Sequence, residues 1–362
     1  MTNRNNYRNV LTAACLTLLA MLFAGCDDKI DLTAEYEDIT VSYGMMNKSD
    51  SVHFFKIYRG FITDENAYTE AGNWDNVYYP VDSLEVRMEV RNENGALVRS
   101  VVLDTTTAIA KKQGYFAAPK QLLYCYKDSL LNEDNKYRLV IKRVNSGKEI
   151  YAETTVVGDF AFRYPMQNWN MTLDTYTPIK FKAAANASIY DLYLTFYYIE
   201  ENKKNGEVAH KSFTKKLNSA FIRSSATEEV AYTGFTPISF YTLVSQSISP
   251  NEDVVRYIDG FSCIRLTAWA ANEIFANYYD ISNPTSSIVQ SRGSYTNFVS
   301  AGNDDAFGFL ASRNSCQRTF TWSSSIDHNE DTLVSGKRTA GLQFRYYREY
   351  LNNHASDTIL NK

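Results

Sequence analysis

Histidine, proline and clustered basic charge are what this 362-residue chain has least of. Only four His occur, His53, His210, His328 and His354, with no HExxH or His-x-His pair among them, so a zinc hydrolase has no ligand set to stand on. Seven Pro are too few for a proline-rich stalk, and an aromatic content of 14% is too high for a disordered tail. A net charge of −4 without any Lys/Arg cluster removes the electrostatic footprint that nucleic-acid binding requires. There is no GxSxG elbow, no phosphate-cradling glycine loop and no GxGxxG after a strand. Past residue 25 no apolar run reaches transmembrane length, and a mean hydropathy of −0.35 fits a water-facing globule.

The one long apolar run lies at the start. A polar leader whose only charges are Arg4 and Arg8 precedes Val10 to Gly25, a stretch too short to span a bilayer and ending in small residues, which is the build of a secretory signal peptide over 1–25. Leu22-Phe23-Ala24-Gly25-Cys26 resembles a bacterial lipobox, in which the Cys thiol is alkylated by diacylglycerol before cleavage. Cys26 is then the lipidation site and the mature N-terminus, and residues 26–36 form the tether. Asp27 and Asp28 directly after it resemble the signal that sends lipoproteins of Bacteroidota to the outer face of the outer membrane; the alternative is the periplasmic face, with the acids simply solvating the tether.

Of five Cys, Cys15 leaves with the leader and Cys26 carries lipid. Cys125, Cys263 and Cys316 cannot all pair within one chain and match no zinc module, so buried free thiols are expected, with a Cys263–Cys316 bridge as the alternative.

The mature chain is long enough for two domains. In Asp82 to Asp104, Leu84, Val86, Met88 and Val90 alternate with Glu85, Arg87, Glu89 and Arg91, and Asn94-Gly95 supplies a tight turn into a returning strand. Similar hairpins turn at Asn47 to Asp50 and at Asn145-Ser146-Gly147. Three hairpins without helical periodicity predict an immunoglobulin-like antiparallel sandwich over 37–158. A mixed α+β domain follows over 159–362. It opens with a strand over Ser188 to Glu200 that has aromatics on both faces, as a strand covered on two sides would. A helix after Thr236-Pro237 buries Phe240, Val244 and Ile248, and a strand in "FSCIRLTAWA" precedes a short helix capped by Asn272. The fold class expected is therefore mainly β, α+β overall, with an antiparallel sheet and short helices in the second domain.

With these elements in hand, the lipobox Cys26, the N-terminal sandwich, "IRLTAWAANEIFANYY" and "YTNFVSAGNDDAFGFLASR" together resemble a family of Bacteroidota outer-membrane lipoproteins of unknown function, often encoded beside TonB-dependent receptors. The likeness is sharpest at Gly308 to Arg313 and departs near the end, where only Cys316 stands in for the Cys-containing tail of many members. It implies a TonB-dependent receptor or other envelope protein as partner and brings no catalytic residue and no cofactor.

Neighbouring acids at Glu200-Glu201, Glu228-Glu229 and Asp304-Asp305 read as solvated loops rather than catalytic dyads, and Asn303-Asp304-Asp305 lacks EF-hand spacing, so no metal site is assigned. The candidate binding loop is Gly72 to Pro80, where Trp74, Tyr78 and Tyr79 stand among turn-forming residues; flat rings with Asn and Asp at their edges suit a sugar or a protein partner. The alternative is that these rings fold back onto the sandwich. Finally, Asp followed by Ser or Thr and then an apolar residue or Thr, the O-glycosylation pattern associated with Bacteroidota by the same resemblance, occurs at Ser51, Ser83, Thr105, Ser129, Thr332 and Thr358, more often than residue frequencies yield. The expectation is a non-enzymatic surface lipoprotein that assembles with an envelope partner. A glycan-binding protein of a nutrient-uptake system is the alternative, and a fibre subunit the third reading.

Overall fold

Three hairpins open the protein, each bent at the residues that favour a turn. In the computed structural model, which describes residues 39–61, 63, 65–164, 166, 176–221, 229–235, 237–282, 295–300, 306–321 and 327–355, β1 (Thr40–Asn47) passes into β2 (Val52–Arg59). That turn is closed by Asn47, whose Nδ2 donates to Asp50 Oδ1 at 3.0 Å. Then β3 (Leu84–Arg91) returns as β4 (Leu97–Val102) through Gly95, whose φ of +78° suits a residue without a Cβ. Next come β5 (Asp104–Thr106), β6 (Leu123–Lys127), β7 (Lys136–Arg143) and β8 (Glu149–Thr155). The strands divide into β1-β2-β6-β5 and β4-β3-β7-β8, the order of an immunoglobulin-type sandwich. Met46, Phe55, Ile57 and Tyr126 of one sheet meet Met88, Leu139, Ile141 and Ala152 of the other in a single buried core.

The second half builds its own core. Here β9 (Phe162–Tyr164) and β10 (Thr177–Lys182) join β13 (Glu229–Phe235) in a three-stranded sheet, while β11 (Ile189–Asn202) and β12 (Val208–Phe221) form a long hairpin. β14 (Val254–Ile258) and β15 (Ile264–Ala271) both pair with β11. Leu192, Leu194 and Phe196 point inward at alternate positions and meet Leu266, Ala268 and Ala270. A helix over Pro237–Ser247 lays Phe240, Val244 and the following Ile248 onto them, the face its fourfold spacing predicts.

The two halves are not separate. β16 (Phe298–Ser300) pairs with β8, and the fifteen-residue β17 (Ala306–Phe320) serves both cores. Over Ala306 to Arg313 it runs parallel to the whole of β1; over Arg313 to Phe320 it runs antiparallel to β15. Leu310 lies in the first core and Phe320 in the second. A nine-stranded sheet thus passes through both, and the sandwich assigned to 37–158 is completed by strands from beyond residue 295. Gly158 marks where the chain leaves the sandwich, not where the sandwich is complete.

Buried polar side chains close the junction. Val157 N donates to Ser312 Oγ (3.0 Å), which donates to Thr155 O (2.7 Å). Asn272 Nδ2 reaches Thr154 Oγ1 at 2.7 Å, and Asn314 Nδ2 reaches Gly158 O at 2.9 Å. All four side chains are buried, so these bonds satisfy backbone and side-chain groups that water cannot reach.

Glu200-Glu201 is not a solvated loop but part of β11. Glu200 is buried and accepts from Arg256 Nε at 2.8 Å and from Lys211. Burial pushes its carboxyl upward, and the bonds from Lys211 and Arg256 outweigh that and hold it below the usual range. Arg256 also donates to Leu342 O at 2.7 Å, so this acid secures the C-terminal segment. Glu228, Asp304 and Asp305 lie outside the described residues.

Candidate functional site

Strand alternation that fills the second core also decides what faces outward. On β11, β15 and β17 the residues opposite the core include Asp191, Tyr193, Trp269 and Arg313. Register places Asp191 across from Trp269, and Ala271 across from Arg313. Together with Met45 of β1 they line a cleft of about 400 Å³. One wall is a helix over Glu273–Ser282, which presents Phe275 and Tyr279. Asn272 caps this helix by accepting from Phe275 N at 3.3 Å, and its amide nitrogen is the one bound to Thr154. The wall is therefore pinned to the sandwich.

The cleft carries three charges. Lys216 Nζ lies 2.8 Å from Asp191 Oδ2 and 5.9 Å from the Tyr279 ring centre. Burial opposes the charge on Lys216, but the bond to Asp191 more than offsets it and raises the ammonium above its ordinary value. Tyr193 Oη contacts the same Asp191 oxygen at 3.4 Å, and burial, then the Asp191 charge, pushes the phenol up. Asp191 Oδ1 is buried and has no hydrogen-bond partner among the described residues. The Arg313 guanidinium is 4.7 Å from the centre of the Trp269 ring, a cation–π contact at the cleft's edge.

Beyond Met45 the aromatic surface continues. Phe309 contacts Tyr278 at 4.6 Å and Tyr43 at 5.5 Å between ring centres. Tyr43, Phe54 and Ile109 are exposed along a neighbouring trough of about 390 Å³ that Met45 and Phe309 also line. Rings, a cation and an acceptor around an open cleft can hold a flat-faced polar ligand. Among the described residues no group of three or more His, Cys, Asp or Glu side chains is placed to hold a metal.

The site expected from sequence lies elsewhere and is turned inward. Gly72 to Pro80 forms a short helix over Trp74–Val77, N-capped by Asn73, which directs Val77, Tyr78 and Tyr79 into the sandwich core. Tyr78 is 2% exposed and Tyr79 6%, with Tyr79 Oη bound to Thr40 Oγ1 at 2.9 Å. Half-buried Trp74 packs on Tyr78 with ring centres 4.2 Å apart, and Lys120 lies 4.9 Å from its ring centre. The three rings make a satellite of the core, not an open platform. Trp74→Ala is accordingly expected to lower stability by about 2 kcal/mol, read as a fall in Tm, because it empties a packed position; an unchanged Tm would free Trp74 from that structural role.

The remaining sequence-derived positions are dispersed. Ser51 and Ser129 are exposed neighbours at one end of the sandwich, joined by the bond from Asp128 N to Ser51 O at 3.1 Å. Thr105 is exposed on the edge strand β5. Ser83 is half-buried, its hydroxyl donated to Pro80 O at 2.7 Å, and Thr332 is half-buried in a helix over Asp327–Ser335. Cys26 and Thr358 lie outside the described residues. Cys125 and Cys263 are buried free thiols, and Cys316 is a partly buried one.

Sequence reasoning missed the cleft because Trp269 stands in a strand that reads as core. The usable signal was phase: Ile264, Leu266, Ala268 and Ala270 fill one face of "IRLTAWA", which leaves Trp269 on the other beside Arg265 and Thr267. No protein-family model matches the chain, and no curated protein matches it significantly.

Proposed function

We propose that this protein is a non-enzymatic lipoprotein, anchored at the outer-membrane surface through Cys26, that binds a glycan in the cleft between Trp269 and the Glu273–Ser282 helix. The observation that carries this reading is the grouping of Trp269, Tyr193 and Tyr279 with the Asp191–Lys216 pair and the Arg313 guanidinium around one open cleft. Pyranose rings offer apolar C–H faces to stack on aromatics and hydroxyl edges to donate, which is the complement of this surface. Among the described residues no helix is long and apolar enough to cross a membrane.

A titration of the mature protein against oligosaccharides, followed calorimetrically, tests the reading. Trp269→Ala is expected to weaken binding about 10- to 100-fold, the equivalent of roughly 1 to 3 kcal/mol, while leaving Tm within a few degrees. Binding unaffected by Trp269→Ala would remove the cleft from the function.

A protein partner, such as a TonB-dependent receptor, is the second reading. The exposed apolar trough of Tyr43, Phe54 and Ile109 favours it, since isolated apolar residues are ordinary on a surface but a lined trough is not.

O-glycosylation is also proposed, with Ser51, Thr105 and Ser129 as its accessible sites. The native protein is expected to exceed polypeptide plus lipid by sugar-sized increments, one of which disappears with Ser129→Ala. An intact mass equal to polypeptide plus lipid would exclude the modification.

A further inference from the structure

We infer that the cleft selects an acidic saccharide, one whose sugar carries a carboxylate that pairs with Arg313. The inference rests on the glycan reading of the same cleft and adds the class of sugar.

Charge balance inside the cleft is the first support. Asp191 is neutralised by Lys216 at 2.8 Å, whereas Arg313 meets no carboxylate and no hydrogen-bond acceptor among the described residues. Among the described residues the three charges of the cleft therefore sum to one positive charge. The Arg313 guanidinium carbon lies 4.7 Å from the Trp269 ring centre, a contact that leaves its N–H groups for a ligand. A planar, weakly hydrated fork of donors matches a carboxylate in two parallel hydrogen bonds.

The second support is spacing. Asp191 pairs with Trp269 on the adjacent strand, and Arg313 stands one strand further on and two positions along. With strands about 4.8 Å apart and a rise of about 3.3 Å per residue, the two Cα atoms lie roughly 12 Å apart, a span that about one or two pyranose rings fill between the two side chains. Trp269 is between them, where a ring face would stack. The third support is the state of Asp191. Its Oδ2 is engaged by Lys216 and Tyr193 and its Oδ1 is buried, so Asp191 does not compete with a ligand carboxylate for Arg313.

The test uses the mature chain on an array of uronic- and sialic-acid-bearing oligosaccharides, each beside its neutral counterpart, with hits titrated at low and high salt. The acidic member is expected to bind at least about 10-fold more tightly at low salt, with the gap narrowing as salt screens the pair. Arg313→Gln should abolish the difference between the acidic and the neutral member, and Arg313→Lys should restore part of it. Equal binding of acidic and neutral sugars by the unaltered protein, or a preference that survives Arg313→Gln, overturns the acidic selection and leaves the glycan reading standing. No binding to either series overturns both.

Discussion

Gly308→Ala should leave the protein largely unfolded. Gly308 sits in β17 directly across from Ser42 of β1, with φ at +103°, and a Cβ built there would lie 1.9 Å from Ser42 O and 2.8 Å from Ser42 C. Both atoms are backbone of a completely buried strand position, so no flexible side chain can give way. The substitution must part β1 from β17 or force an L-residue into a conformation it rarely adopts, and the expected cost is on the order of 4 kcal/mol or more, a large share of the stability of an ordinary domain. Soluble yield and thermal melting measure it. Gly114→Ala is the control, since nothing lies within 4 Å of a Cβ there and its φ is not in the positive range. A Gly308→Ala protein that melts with the control would mean that the parallel pairing of β1 and β17 is wrong.

Cys26→Ser should release the protein from the membrane entirely. Each buried acyl carbon contributes about 0.8 kcal/mol, so the several chains on a lipidated cysteine hold a protein firmly where one chain holds it marginally. The variant is expected to take up no palmitate and to move from the membrane to the soluble fraction. Persistent membrane association of the unlabelled variant would refute lipid anchoring. The fourteen residues from Cys26 to Ile39 can extend at most about 50 Å, which would limit how far from a bilayer the folded part could work if Cys26 carries the proposed lipid.

Much of the fold is legible in local pattern, and what is not legible is non-local. Asn94-Gly95 and Gly147 announce their hairpins because positive φ is needed at one residue and that residue is glycine. Phe240, Val244 and Ile248 announce a buried helix face through spacing alone. The pairing of Thr40–Asn47 with Ala306–Arg313 leaves no such mark: parallel partners need no shared turn, and the two segments are more than 250 residues apart. That omission is what made the sandwich seem to finish at Gly158. The aromatics on both faces of β11 have two different surroundings. Leu192, Leu194 and Phe196 face a core, while Tyr193 faces a cleft with one helical wall, so covering on two sides was too strong a conclusion.

Trp74, Tyr78 and Tyr79 illustrate the opposite error. Turn-forming neighbours place a segment in a loop, but they say nothing about which way its rings point, and the Asn73 cap with its four-residue helix rotates Tyr78 and Tyr79 beneath the surface. Trp269 is as large a ring in a region without a turn signal, and only its phase within the strand separates it from the core residues on either side.

The strand shared by the two cores also sets how the protein bears load. β1 begins at Thr40 and runs eight residues to Asn47, whose partner on β17 is Arg313 at the rim of the cleft. A ligand drawn away from the membrane and an anchor held in it would pull at opposite ends of this ladder. Because the force runs along the strands, the eight registered pairs between β1 and β17 resist together in shear, whereas a force across the strands would open them one at a time. Flanked by β2 on its other edge, β1 would act as a splice between the proposed anchor and the proposed binding cleft, loaded in its strongest direction.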